Sequence, residues 1–200
     1  MDRTANRRWN TGLALFGEVV ITGALVALLA LPVVTALPAL AAGTAHLRRH
    51  LSGDSVRVAE LLRDFAAACR ALWLAGLAFT GVALVLLWNL SLAQAGVIPG
   101  SGGMQAVTLV LLAAWAVLLL RTAAVWRPGA DAAGAVREAV GRAREDVAGS
   151  VLLAFGWALC AVFVWMLLPL FLLTGGLLAL AAVAVEARAA ARAEPADPDA

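Results

Sequence analysis

The chain has little charge and no lysine. Only 14% of its 200 residues are charged, 63% are hydrophobic, and all 15 basic residues are arginine. In soluble domains about a quarter of the residues are charged and less than half are apolar. The composition therefore excludes an ordinary soluble domain and indicates a membrane protein whose main solvent is lipid.

Cysteine is also scarce. Cys69 and Cys160 are the only two cysteines, so a disulfide framework and a CxxC metal pair are both excluded. The sequence has no phosphate-binding loop, dinucleotide fingerprint or Ser-His-Asp set, so we expect no enzyme, no cofactor and no metal centre. Its arginines are mixed with acids and lack an aromatic platform, which argues against nucleic-acid binding.

Charge is nearly absent from three long blocks. Of Asp, Glu, His and Arg, residues 9–47 contain only Glu18 and His46, and residues 71–120 and 147–185 contain none. A helix needs about 20 residues to cross the hydrocarbon core, so each block has room for two passes. The sequence predicts an all-α, polytopic transmembrane helical bundle with five to six membrane segments arranged as three hairpins.

Proline and glycine indicate where these hairpins turn. In the first block, residues 11–31 are predicted to span. Pro32 and Pro38 then interrupt the chain, and residues 33–51 return as a full or re-entrant segment. The second block turns at Pro99 and its neighbouring glycines. In the third block either Pro169 or the pair Gly175-Gly176 marks the bend.

The positions of arginine predict the orientation. Arginine occurs only in the N-terminal arm, in residues 48–70, in residues 121–144, and at Arg188 and Arg192. With three hairpins all four regions face one compartment, as the positive-inside rule requires. We expect a multi-pass protein of the bacterial plasma membrane with both termini cytoplasmic. Residues 1–187 are predicted to be one integral membrane domain, and residues 188–200 an acidic, disordered tail.

Two connecting segments are predicted to be short amphipathic helices, cytoplasmic or interfacial. In residues 55–69, apolar Val58, Leu61, Leu62 and Phe65 follow a helical period, and Arg57, Glu60 and Asp64 are predicted on the other side. In residues 131–146, Glu138 and Arg142 are placed for an i,i+4 ion pair. Among the tryptophans, Trp126 is predicted at the membrane interface and Trp115 between helices.

The stretch from Pro32 to Phe65 has a distinctive order. A proline turn, a second proline, a basic pair, a glycine–acid break and an amphipathic segment follow one another: Pro32-Val33-Val34-Thr35, Pro38-Ala39, Arg48-Arg49, Gly53-Asp54, Leu62 and Phe65. This order resembles the YesL-like family of bacterial integral membrane proteins, a domain family of unknown function. The resemblance implies an accessory role beside carbohydrate-uptake systems and implies no catalytic residues.

Two polar residues within the apolar blocks are candidate functional sites. Glu18 is the only acid in such a block, and an intramembrane acid suggests ion coupling or binding of a polar substrate. The alternative is a shallow carboxylate that pairs with a nearby arginine. Asn89 lies near the predicted outer turn, where it either lines a substrate entry or bonds a neighbouring helix.

A third candidate is the group His46, Arg48, Arg49 and His50. The two histidines are one helical turn apart, but two arginines lie between them and the glutamate of a zinc protease is missing. We therefore expect interfacial histidines, with the group contacting anionic lipid headgroups or an acidic partner surface.

These features favour a non-catalytic accessory or assembly factor. Its predicted surroundings are the lipid bilayer and a membrane transporter complex, with the segment 55–69 as the docking element. The alternative is a small transporter or channel-like protein that uses Glu18 and the Pro32 to Pro38 helix break.

Overall fold

The computed structural model describes residue 17 and residues 19–52, 57–95, 101–166 and 171–193. Over these residues the chain is all-helical and has no strand, which confirms the predicted class. Its helices are α1 (Val19–Leu29), α2 (Ala36–Leu51), α3 (Val58–Gln94), α4 (Ser101–Val125), α5 (Ala132–Glu145), α6 (Val147–Met166) and α7 (Phe171–Ala193). Glu18, Pro99 and Pro169 lie outside the described residues.

The central helix of the bundle is α2. Every residue from Leu37 to Leu47 is buried, because α1, α3, α4 and α7 pack around this helix. Six of these eleven buried residues are alanine, glycine or threonine, and such small side chains let neighbouring backbones approach. A β-carbon at Gly43 would lie 2.5 Å from Val26 Cγ2 of α1. The predicted return of the first block as a second helix is therefore confirmed.

The turn between α1 and α2 depends on one proline. Pro32 precedes the 3-10 turn Val33–Thr35, and the Thr35 hydroxyl lies 2.6 Å from Leu29 O and 2.7 Å from Pro32 O. Pro38 instead lies in the first turn of α2, where a backbone N–H would have no intrahelical acceptor. The interruption predicted at Pro38 is wrong, and the break ends at Thr35.

One prediction of a short amphipathic helix is also wrong. Helix α3 has 37 residues, about 55 Å at 1.5 Å per residue, and its first turns contain most of the segment 55–69. Neither glycine nor proline occurs between Val58 and Ala75. Nothing in the sequence therefore ends the helix between its amphipathic part and its apolar part.

The buried face of this first part of α3 differs from the predicted one. Leu61, Asp64, Ala68 and Leu72 are buried, at helical spacing, whereas Leu62 is 46% exposed. Asp64 was expected on the polar side. It faces inward because Arg49 of α2 pairs with it.

The second predicted amphipathic helix, α5, is confirmed. It follows a type II turn in which Gly129 has a φ of 93° and Ala130 N donates to Arg127 O at 3.0 Å. The Asp131 carboxylate accepts a bond from Gly134 N at 2.9 Å and caps the helix. The predicted Glu138–Arg142 pair forms at 2.7 Å.

Among the described residues, two helices, α3 and α4, are long and apolar enough to cross a membrane. The count rises to three if α5 and α6, which meet at 106°, are taken as one broken span. Trp115 packs between α3 and α4, where its Nε1 donates to Phe79 O at 3.0 Å, as predicted for its position. Trp126 is wholly buried, so it packs inside the bundle and is not an exposed anchor for lipid headgroups.

Helix α7 contacts α1 through glycine. A β-carbon at Gly176 would lie 2.2 Å from Val19 O and 3.1 Å from Gly23 Cα. Gly175-Gly176 is therefore part of a helix that permits backbone contact, and the alternative that it forms the bend is wrong. Because α7 continues to Ala193, residues 188–193 of the predicted tail are helical, and residues 194–200 lie outside the described residues.

Two matched glycine substitutions test this packing. We expect Gly176→Ala to lower the free energy of unfolding by about 1–3 kcal/mol, because its methyl group meets backbone that cannot rotate away. A β-carbon on Gly156 of α6 would have no described atom within 4 Å, so Gly156→Ala should be neutral or stabilising by up to about 1 kcal/mol. Thermal unfolding in detergent measures both, and equal effects would contradict the α1–α7 contact.

Candidate functional site

Charged side chains from α2 to α7 meet at one end of the bundle, here called the charged end. The residues that define it are Arg48, Arg49, Asp64, Arg121, Asp146 and Glu186. They lie on α2, α3, α4 and α7 and at the corner between α5 and α6, and the contacts described below join them. Together with Arg188, which pairs with Asp146, the charged end contains arginines from three of the arginine-containing regions of the sequence.

The last turns of α2 cap the end of α4. The Thr44 hydroxyl lies 2.9 Å from Ala123 O, and Arg48 Nη2 donates to Ala124 O. These carbonyls belong to the last turn of α4, which lacks intrahelical donors and carries the negative end of the helix dipole. Since that turn contains no basic residue of its own, α2 supplies the cation.

The other members of the predicted contact group are placed differently. Arg49 pairs with Asp64 of α3, His46 is only 1% exposed, and His50 is half-buried. Among the described residues, no three His, Cys, Asp or Glu side chains are grouped to hold a metal. Much of the group His46, Arg48, Arg49 and His50 thus serves contacts inside the bundle, and its contact with lipid or a partner stays a prediction.

Arg121 of α4 is the centre of an ionic network. Its side chain is 0% exposed. Nη1 donates to Glu186 Oε1 of α7 at 3.2 Å, and Nη2 donates to the backbone oxygen of Asp146 at 2.9 Å. Nη2 also lies 3.4 Å from Asp146 Oδ2. A buried guanidinium needs such compensation, because an unpaired buried charge costs several kcal/mol, about 3–5 when a partner is removed.

Asp146 occupies the corner between α5 and α6. Its Oδ1 accepts a bond from Gly149 N at 3.0 Å, which caps α6. Arg188 of α7 also reaches this carboxylate, at 3.3 Å. The Gly149 N–H, followed by Arg121 and Arg188, holds the pKa of Asp146 below its usual value of 3.8.

Arg142 extends the network into α5. Its guanidinium pairs with Glu186 of α7 and with Glu138 of its own helix. Arg121, Arg142 and Arg188 face the acids Glu138, Asp146 and Glu186, so the six formal charges balance. The arrangement can lock helix ends together, and each of these carboxylates already has an arginine partner.

The sequence prediction did not single out Arg121, Asp146 or Glu186. A signal was available, since each residue borders a charge-free block. Arg121 directly follows residues 71–120, Asp146 directly precedes residues 147–185, and Glu186 directly follows them. In one bundle, the charged residues at the ends of the apolar helices lie at a similar depth, and residues of opposite charge can therefore meet there.

Of the two intramembrane candidates, only Asn89 is described. It is half-buried and lies about 25 residues beyond Asp64 along α3, about 37 Å along the helix axis. It is therefore remote from the charged end. Glu18 lies outside the described residues.

Exposed arginines on α3 and α5 surround the network. Arg63 and Arg70 are exposed on α3, and Arg137 and Arg144 are exposed on α5. None of the four forms an ion pair with a described acid. The charged end thus has a neutral interior and a basic surface.

Comparison of the chain with protein-family models, curated proteins and solved structures found no match.

The network predicts acid sensitivity through Asp146. A lowered pKa in the folded state means that Asp146 contributes stability at neutral pH, and that this contribution is lost as the pH falls below about 4. Asp146→Asn keeps the helix cap but removes the charge. We expect this variant to be less stable than the wild type at neutral pH, with the difference shrinking in acid.

Thermal unfolding in detergent from neutral pH to below about pH 4 measures this difference. Asp131→Asn is the matched control, because Asp131 caps α5 through Gly134 N but forms no ion pair with a described residue. A deficit of Asp146→Asn that is absent at neutral pH, or that persists unchanged in acid, would contradict the assignment.

Proposed function

We propose that this protein is a non-catalytic accessory or assembly factor of the bacterial plasma membrane, built from three helical hairpins. The apolar helices support membrane insertion. Orientation is proposed from the charged end: arginines from residues 48–70, from residues 121–144 and at Arg188 gather there, and basic connectors favour the cytoplasm. Both termini would then be cytoplasmic.

The observation that carries the proposal is an unpaired face near the start of α3, here called the docking face. It consists of Val58, Leu62, Arg63, Ala66 and Arg70, all of them exposed. Val58 and Leu62 are 45% and 46% exposed. Exposed apolar side chains beside unpaired arginines are suited to a partner with apolar and acidic groups.

The partner we propose is a membrane protein with an acidic surface at the cytoplasmic boundary of the bilayer. Arg70 lies one residue before the charge-free block of α3, so the docking face is next to the membrane. The resemblance to the YesL-like family suggests that this partner belongs to a transporter complex for carbohydrate uptake.

The transporter alternative has less support. A cavity of about 60 Å³ lies beside the Pro32 break, between α2, α3 and α4, and its lining residues include Val33, Phe79, Trp115 and Leu119. The lining of this cavity is mostly apolar, so it offers few polar groups to a transported solute.

Site-specific crosslinking in cells tests the docking face. With a photoreactive amino acid at Leu62, we expect a discrete adduct with one membrane protein. The adduct should be lost in the double variant Arg63→Glu, Arg70→Glu, because two attractive charges become repulsive. The readout is the adduct band on a denaturing gel of the membrane fraction.

The matched control is Arg137→Glu, Arg144→Glu on α5. This variant makes the same charge change at two exposed arginines that are also seven residues apart. Arg70 and Arg137 also make the same kind of local contact, because the Nε of each lies 3.3 Å from the carbonyl oxygen four residues earlier in its own helix. The adduct should persist in this control. Absence of an adduct at Leu62, or equal loss in both variants, would refute the docking face.

A further inference from the structure

Helices α1 and α2 form a hairpin that is shorter than the neighbouring helices α3 and α4. Helix α2 has 16 residues, about 24 Å, and Arg48, Arg49 and His50 occupy its last turn. A crossing helix needs about 30 Å of apolar length. By length alone, α2 is too short to pass from the charged end to the other surface.

Contacts with α3 show how far the hairpin reaches. At its tip, a β-carbon on Gly76 would lie 2.6 Å from Val34 O, and Thr80 Oγ1 lies 3.4 Å from Val33 O. Beyond Thr80, α3 continues for about 14 residues to Gln94, about 21 Å further. The tip therefore lies beside the middle of α3.

Helix α4 gives an independent measure of the same depth. Trp115 is bonded to Phe79, at the level of the tip. From Trp115 back to Ser101, α4 extends about 14 residues, again about 21 Å beyond the tip. Both neighbouring helices are uncharged over this length.

The side chains at the tip are apolar and unpartnered. Leu28, Leu31 and Val33 are 61%, 65% and 61% exposed, and Val34 is 40% exposed. Water would be a poor solvent for this cluster, whereas lipid chains would cover it at no such cost.

The tip backbone also fits a hydrocarbon environment. Irregular backbone inside a bilayer must satisfy its polar groups within the protein. The Thr35 hydroxyl serves Leu29 O and Pro32 O, Thr35 N donates to Pro32 O at 2.6 Å, and Thr80 reaches Val33 O. Leu29 O, Pro32 O and Val33 O at the tip thus have hydrogen-bond donors within the protein.

We propose that α1 and α2 form a re-entrant hairpin whose tip, Leu31 to Val34, ends inside the hydrocarbon core and contacts the acyl chains of lipids from the opposite leaflet. The hairpin enters and leaves through the charged end. A hairpin that crosses the membrane twice would also return the chain to this side. The positions of arginine are therefore the same for a re-entrant hairpin and for a crossing hairpin, and they do not distinguish them.

Spin labelling in liposomes tests the depth of the tip. The chain suits this experiment because Cys69→Ala with Cys160→Ala leaves no cysteine. One label is then placed by Val33→Cys, by Leu77→Cys on the exposed side of α3 at the same level, or by Gln94→Cys at the far end of α3. Power-saturation spectra report collisions with oxygen, which concentrates in lipid, and with a water-soluble nickel chelate.

We expect the label at residue 33 to match the label at residue 77, with frequent oxygen collisions and nickel collisions several-fold below those at residue 94. Nickel collisions at residue 33 equal to those at residue 94 would overturn the proposal, because the tip would then reach water. Low collision rates with both reagents would overturn the lipid contact, because protein would then cover the tip. Val34→Cys, at the neighbouring position, repeats the measurement if Val33→Cys does not fold.

Discussion

A buried guanidinium at the end of α4 imposes the main constraint on this bundle. Because Arg121 is wholly buried, the acids that compensate its charge must also lie inside the bundle. They are Asp146, at the corner of α5 and α6, and Glu186 of α7. Arg48 of α2 completes the assembly by capping α4 from the other side. Five helices are thereby held at one end, and the acids of the network offset the charge of its buried arginine.

The features predicted correctly from the sequence are those that depend on local spacing or on long apolar runs. The return of the first block as α2, the helix α5 and its Glu138–Arg142 pair follow from periodicity and i,i+4 geometry. The position of Trp115 follows from its place deep in an apolar block.

The features that were missed depend on partners distant in sequence. Asp64 turns inward because of Arg49 on another helix, so the periodicity of α3 alone places it on the wrong side. The hydrogen bond from Arg48 to Ala124 O likewise joins residues far apart in the sequence, so no local spacing predicts it. Hydropathy gives the length of a block but not the depth of a turn, so it could not place the tip at Val33 beside Thr80.

The most direct test of this account is a double-mutant cycle on Arg121 and Glu186. Arg121→Met, Glu186→Gln and the double variant would be compared by their free energies of unfolding in mixed detergent micelles. If the pair holds α4 to α7, each single change breaks the same buried ion pair, although Asp146 still faces Arg121 and Arg142 still faces Glu186. The coupling energy should then be about 1–3 kcal/mol. Effects that add to within about 0.5 kcal/mol would contradict the network as the constraint on which the bundle depends.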